Sequence, residues 1–377
     1  MNRLGSSKVA AGGDPLRIGI LGAARIAELA MVKPSRATGT RLVAIAARDR
    51  RRAEAYATAH GVDRALSCYS DVLGASDVEA VYNPLPNALH AVWNQAAIKA
   101  GKHVLSEKPF AANADEAAEV RDVARRTGVV VMEGFHYRYH PVTHRLHELL
   151  DSGELGELVS VETVMMIRDP GADDPRWSLP LAGGALMDLG CYSLHAQRLV
   201  APWAGGEPSV TAARAGERDG APGIDEWLDA DLIFPSGATG SARCHMAANR
   251  RQMQYRIIGT RGEAKALCFV EPHTDDRVVI TTAAGERVEK LGTRSSYTYQ
   301  LEAFIAAVRT GAAVPTDPDD AVATMRLIDD CYRAAGLRPR QTSTTRAEPP
   351  PDSHHRHITE TAILSSASRG HEKGTAR

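Results

Sequence analysis

The feature that most limits how this chain can fold is a repeated exchange of short apolar runs and longer amphipathic stretches over residues 16–131. The runs at 16–22, 42–46, 80–82, 104–105 and 129–131 read as buried strands. Between them, residues 24–36 read as a helix with Ile26, Leu29 and Ala30 turned inward, followed by helices over 50–60, 87–100 and 114–127. Gly101 supplies the C-cap of the third. Strands alternating with helices of roughly 10 to 15 residues predict a parallel, doubly wound sheet, because parallel neighbours need a crossover between them.

The rhythm breaks near residue 150. After a helix over 141–150, strand-like runs recur at 158–166, 209–215, 227–234, 239–245, 254–258, 264–268 and 277–282, joined by turns such as Pro235-Ser236-Gly237. One helix over 184–199 interrupts this antiparallel meander, and helices over 297–310 and 318–335 close it. The 377 residues therefore divide into a loose lead-in (1–15), an α/β domain (16–140), an α+β domain with an open, mainly antiparallel sheet (141–336), and a Ser-, Thr-, Pro- and His-rich tail (337–377) read as disordered. His354, His355 and His357 in that tail read as part of an unstructured basic segment rather than a metal site.

A net charge of −1 gives no reason to expect a nucleic-acid or membrane partner. The five cysteines form no Cys-x-x-Cys pair, so neither a zinc site nor a disulfide framework is expected, and a reducing cytoplasm fits. The first fifteen residues lack an apolar core, so no signal peptide is expected.

Two stretches of the first domain carry chemistry. Gly22 to Ala27, between the first strand and the first helix, has the pattern G-x-A-x-x-A where a dinucleotide turn would sit. Gly22 supplies the turn, Ala24 lies where backbone approaches a pyrophosphate, and Arg25 and Ile26 open a helix N-terminus that suits phosphate. After the second strand comes Ala47-Arg48-Asp49-Arg50-Arg51-Arg52, with Arg48 placed to pair a 2′-phosphate. NADP is therefore expected over NAD. The second stretch is Glu107-Lys108-Pro109, which holds Lys108 on restricted backbone at the carboxyl end of a strand, the edge where open α/β sheets bind ligands. In the second domain Asp188, Tyr192 and His195 are spaced i, i+4, i+7, on one face of a helix.

With Gly22 to Ala27, Asn83 to His90, Gly101 to Pro109, Glu133 to Pro141 and Gly183 to His195 in view, the chain resembles the Gfo/Idh/MocA oxidoreductases over residues 16–336, most of all their NADP-linked sugar and dihydrodiol dehydrogenases. The resemblance implies a Rossmann domain followed by a sheet domain that often forms a homodimer or homotetramer interface. It places Lys108 against the substrate hydroxyl and nicotinamide ribose, and Tyr192 as general acid/base. Asp188 and His195 fall at substrate positions, where many relatives have Asp or Asn in place of His195. Asn83, Pro84, Leu85, Asn87, His90 and Glu107 match the loops around ribose and nicotinamide. Arg138, His136 and Trp177 are expected to line or cap the pocket. The reading is an oxidoreductase acting on the CH–OH group of a sugar or cyclic polyol, with a trans-dihydrodiol dehydrogenase or an inactive NADP-sensing protein as alternatives.

Overall fold

The first layer is a parallel sheet of β1 (Arg17–Leu21), β2 (Arg41–Ala46), β3 (Ala80–Asn83), β4 (His103–Ser106) and β5 (Val131–Glu133), in the order β2-β1-β3-β4-β5. The computed structural model describes residues 14–341. Residues 1–13 and the tail histidines His354, His355 and His357 lie outside the described residues. The strands read as continuous apolar runs because helices cover both faces of a parallel sheet, and every residue of β3 and β5 is buried. The strand order reverses between β1 and β3, so the crevice for a ligand opens beyond the carboxyl ends of those two strands.

The expected first helix is not regular. A π turn, Glu28–Val32, runs into α1 (Lys33–Thr38). The extra residue in that turn rotates the face: Leu29, expected inward, is 45% exposed, while Ala30, Met31 and Val32 are buried. The crossovers continue with α2 (Arg50–His60), α3 (Tyr69–Gly74), α4 (Asn87–Lys99) and α5 (Ala114–Thr127). At six residues, α3 is too short to show a helical period in the sequence.

After α6 (Pro141–Asp151) comes β6 (Leu158–Met166), then a π turn (Leu186–Gly190) leading into α7 (Cys191–Arg198). The remaining strands are β7 (Ser209–Glu217), β8 (Asp225–Ile233), β9 (Thr239–His245), β10 (Gln252–Gly259), β11 (Gly262–Ala266), β12 (Arg277–Thr282) and β13 (Gly285–Lys290). Their order is β13-β12-β11-β10-β6-β9-β8-β7. This is not a simple meander, because β6 lies in the middle and pairs parallel to β9. The chain leaves β6 through α7 and re-enters at the far edge. Nothing in the sequence marks β13, whose residues are almost all exposed and mostly charged. One face of the sheet is covered by α7, with Tyr255 donating to the Ala196 carbonyl at 3.0 Å and Gln197 to those of Val161 and Ser241 at 3.2 and 3.0 Å.

Two closing helices, α8 (Ser296–Thr310) and α9 (Pro318–Ala334), follow. Tyr297, Leu301 and Phe304 of α8 share a buried cluster with Ile18, Ile20 and Met31, so α8 packs on the first layer. Residues 337–341, grouped with the tail on composition, are held in place through Arg340, which is buried and paired with the fully buried Asp225. Among the described residues no helix is long and apolar enough to cross a membrane.

Candidate active site

The site is built where β1, β3 and β4 end. Gly22 turns with φ +106°, a conformation that a side chain would strain. Its N–H donates to the Ala46 carbonyl at 2.7 Å, tying the turn to β2. The first backbone bonds of the following helix are those from Ala27 to Ala24 and from Glu28 to Arg25, at 3.1 and 3.4 Å. The amides of Ala24, Arg25 and Ile26 precede them, in the first-turn position that has no intrahelical acceptor and that anion sites use.

The arginine run after β2 is sorted by its partners. Asp49 caps α2 by accepting from the Arg51 N–H at 2.9 Å. Arg50 pairs with Glu54 at 2.9 Å, and Arg52 donates to the Ala23 carbonyl at 3.1 Å. Arg48 is exposed, with no hydrogen bond or ion pair to its guanidinium among the described residues. With the Asp49 carboxylate committed to its cap, the β2 end offers a free guanidinium rather than an acid. These residues fit a dinucleotide carrying a 2′-phosphate.

Lys108 follows β4 across the cleft. Its Nζ donates to the Asp188 carbonyl at 3.0 Å and to Asp188 Oδ1 at 3.1 Å. An ammonium has three donors, so one remains for a further acceptor. Burial alone would lower this lysine, but the Asp188 carboxylate, with a lesser contribution from Glu107, outweighs it and holds it above the ordinary lysine range. Burial would raise Asp188, yet Lys108 and Arg176 together keep it below the usual carboxylate range. The pair is therefore ionised.

Tyr192 meets the same lysine, with Nζ lying 5.1 Å from its ring centroid. Its hydroxyl lies 3.3 Å from His136 Nε2, and His136 Nδ1 lies 2.8 Å from Ser296 Oγ. Burial, with lesser contributions from Tyr297 and Glu107, pushes the phenol well above its usual range. Burial and the Lys108 charge push His136 well below its own.

The third residue of the helical triplet goes elsewhere. The π turn at Leu186–Gly190 sets Asp188 off from the regular α7 that carries Tyr192 and His195, and His195 is fully buried. It stacks on Phe135 at 4.0 Å, with Nδ1 2.6 Å from the Tyr137 hydroxyl and Nε2 3.1 Å from Asp320. Neither nitrogen is left for a substrate hydroxyl in this arrangement.

Asp320 also takes Arg198 at 2.7 Å. Burial would raise its carboxyl, but His195 and Arg198 bring it down to about 2. An unfolded aspartate titrates near 3.9, so folding gains from this group above that pH and loses the gain as pH falls through about 2. Unfolding free energy should therefore drop by about 2–3 kcal/mol over that acid range. Urea titrations in that range should show a smaller drop for Asp320→Asn; an equal drop would contradict the assignment.

The remaining expected residues divide into supports and outliers. Asn83 donates to Asn94 at 2.8 Å and to the His90 carbonyl at 3.3 Å, and so shapes the loop through Pro84 and Leu85. The His90 ring lies between the Pro109 and Leu85 carbonyls, at 2.7 and 2.6 Å, and burial takes it down to about 4. Glu107 accepts from the Tyr82 hydroxyl at 2.7 Å. Asn87 donates to the Ala182 carbonyl at 3.0 Å, reaching across the cleft. Arg138 does not join the cluster; it lines a separate open cavity of about 530 Å³ with Arg198, Glu207 and Asp320, none of which contacts Lys108. Trp177 is not free to cap a sugar ring: it is buried beneath the Arg218 guanidinium, 4.0 Å above it. Arg25, 89% exposed along its side chain, reaches Asp174 at 3.1 Å.

The glycine turn at the switch point of the parallel sheet and the charged cluster beside it are the parts a dinucleotide-dependent oxidoreductase needs. This chain belongs to the Gfo/Idh/MocA family of such enzymes. Residues 16–135 match the family model for the NAD-binding Rossmann fold, and residues 143–265 match the model for the family's C-terminal domain. The chain is 39% identical to a D-xylose 1-dehydrogenase (NADP(+)) of Haloferax volcanii, over 85% of this chain and 97% of that one. It is 32% identical to a dTDP-3,4-didehydro-2,6-dideoxy-alpha-D-glucose 3-reductase of Streptomyces violaceoruber, over 85% and 96%. In structure it is similar to a 3-ketoreductase of Actinomadura kijaniata in complex with NADP and TDP-benzene, with a TM-score of 0.78 and 29% identity over 85% and 98%. That ketoreductase has also been solved with one lysine replaced and with one tyrosine replaced.

Proposed function

We propose that this protein moves a hydride between NADP and the hydroxyl or keto carbon of a sugar or cyclic polyol, with Lys108, Asp188 and Tyr192 handling the oxygen. The observation that carries the reading is the ionised Lys108–Asp188 pair under the Tyr192 ring at the carboxyl end of β4. When bound, NADP supplies the hydride acceptor, or NADPH the donor. Gly22, Ala24, Arg25 and Ile26 would hold its pyrophosphate, and Arg48 its 2′-phosphate. The free N–H of Lys108 anchors the substrate oxygen. The Tyr192 phenol, held protonated by burial, donates its proton to the alkoxide that forms when a carbonyl is reduced. Lys108 is already charged, so it acts as an electrostatic partner rather than as a proton acceptor. His195 supports the pocket from behind, through Phe135 and Asp320. Initial rates with NADP and a panel of aldoses and inositols, and with NADPH and their keto forms, test the reading. Turnover of at least one pair is expected, and none in either direction would overturn it.

Arg48→Ala should raise the NADPH dissociation constant about ten- to a hundredfold, the worth of one hydrogen bond to a charged group. NADH binding should not change. Fluorescence titration reads both, and equal losses for the two cofactors would remove Arg48 from 2′-phosphate recognition.

The sheet face opposite α7, where Ile233 is 36% exposed, is the surface on which a second copy of the chain would pack. Light scattering should give a dimer or tetramer, whereas a monomer at assay concentration would refute this.

A further inference from the structure

Arg176 has no role in the sequence reading, yet it ends one side of the charged cluster. Its Nη1 donates to Asp188 Oδ2 at 3.2 Å, on the oxygen that Lys108 leaves free. Its Nε and Nη2 grip both oxygens of Asp174 at 2.9 and 3.2 Å. Asp174 is itself nearly buried, caps the short helical turn Pro175–Trp177 and takes Arg25. The main chain adds a second tie: the Arg176 carbonyl accepts from the Gly184 N–H at 2.9 Å, and the Gly184 carbonyl accepts from the Asp188 N–H at 3.0 Å. A side chain at Gly183 would collide with that carbonyl, its Cβ falling 2.3 Å from the oxygen. Arg176 is thus fixed by backbone and by Asp174 before it touches Asp188.

We infer that Arg176 is a positioning residue of the oxidoreductase reaction, holding the second oxygen of Asp188 so that the first meets Lys108 in one direction. A buried carboxylate with one cation keeps a free oxygen, which would draw in the third Lys108 N–H or a substrate hydroxyl. With both oxygens engaged, that N–H stays available to the reacting oxygen. A planar fork locked by Asp174 performs this task, and a lysine at the same place would supply only a point charge.

The inference rests on the proposed reaction, so its test uses the full chain and a substrate pair that the unsubstituted protein turns over. Arg176→Gln should lower kcat about ten- to a hundredfold, the usual worth of a hydrogen bond to a charged group. NADPH affinity should stay the same, and Arg176→Lys should fall between. Asp188→Asn will be slower still, and the double variant Arg176→Gln/Asp188→Asn should be no slower than Asp188→Asn alone, because Arg176 acts through Asp188. A merely structural arginine would instead give losses that multiply. Normal kcat in Arg176→Gln, or multiplying losses in the double variant, overturns the inference while leaving the reaction intact. If Arg176→Gln does not fold, Arg176→Lys carries the same cycle. No activity in the unsubstituted protein overturns reading and inference together.

Discussion

Replacing Tyr192 with phenylalanine is expected to lower turnover by about 10²–10⁴, the usual contribution of a general acid–base group. The substitution removes one oxygen and keeps the ring, which packs edge-on against Phe135 at 5.5 Å and His136 at 5.9 Å. Among the described residues the hydroxyl has one partner at hydrogen-bond distance, His136. Folding and NADPH binding should therefore survive, and the loss should fall on kcat rather than on KM. Steady-state kinetics with NADPH fluorescence on the same sample separates the two. Near-normal kcat would remove Tyr192 from proton transfer and leave the buried phenol as packing.

Arg340→Ala should destabilise the fold by about 3–5 kcal/mol, the cost of breaking a buried ion pair from one side. Arg340 donates to the Gly183 carbonyl at 2.7 Å and to that of Gly223 at 2.9 Å, pairs with Asp225, and lies 4.3 Å over the Tyr332 ring. Asp225 is fully buried and also accepts from the Leu186 N–H at 2.6 Å and the Tyr332 hydroxyl at 3.0 Å. Burial pushes Asp225 upward and Arg340 is the main opposing charge, so its removal leaves the carboxylate with neutral donors alone. Because Gly183 and Leu186 lead directly into Asp188, activity should fall as well. Urea unfolding measures the effect, and a change within about 0.5 kcal/mol, that of an ordinary surface substitution, would contradict it.

The parallel layer was legible because every strand in it is buried on both faces and every crossover is a helix, so period and order agree. That Lys108 meets Asp188 and Tyr192 was legible because the Glu107–Pro109 strand end and the Gly183–His195 segment face the same cleft. His195 keeps its helical spacing from Tyr192 in α7, but its nitrogens are taken by Tyr137 and Asp320, 58 and 125 positions away, which helical spacing does not reveal. Leu29 turns outward because a helical period assumes a regular helix, and the π turn Glu28–Val32 breaks it there. Arg138 and Trp177 lay near the right motifs, but their side chains face a different cavity and a different arginine. The central place of β6 leaves no local trace, since it depends on which strands return to which edge. Arg176 and Arg340 carried no signal at all. Their partners Asp188 and Asp225 lie 12 and 115 positions away, and only the folded chain brings them together.

The central claim is that Lys108 organises hydride transfer at this cleft, and the most direct measurement compares the unsubstituted protein with Lys108→Ala. NADPH binding would be read by fluorescence, and turnover by NADPH absorbance with the substrate pair the unsubstituted protein accepts. The account predicts that the variant still binds NADPH through the Gly22 turn and Arg48, and that its turnover falls by about 10² or more, as expected for a group that stabilises charge at the reacting oxygen. Turnover that persists in Lys108→Ala would contradict it, as would an unsubstituted protein that binds no NADPH.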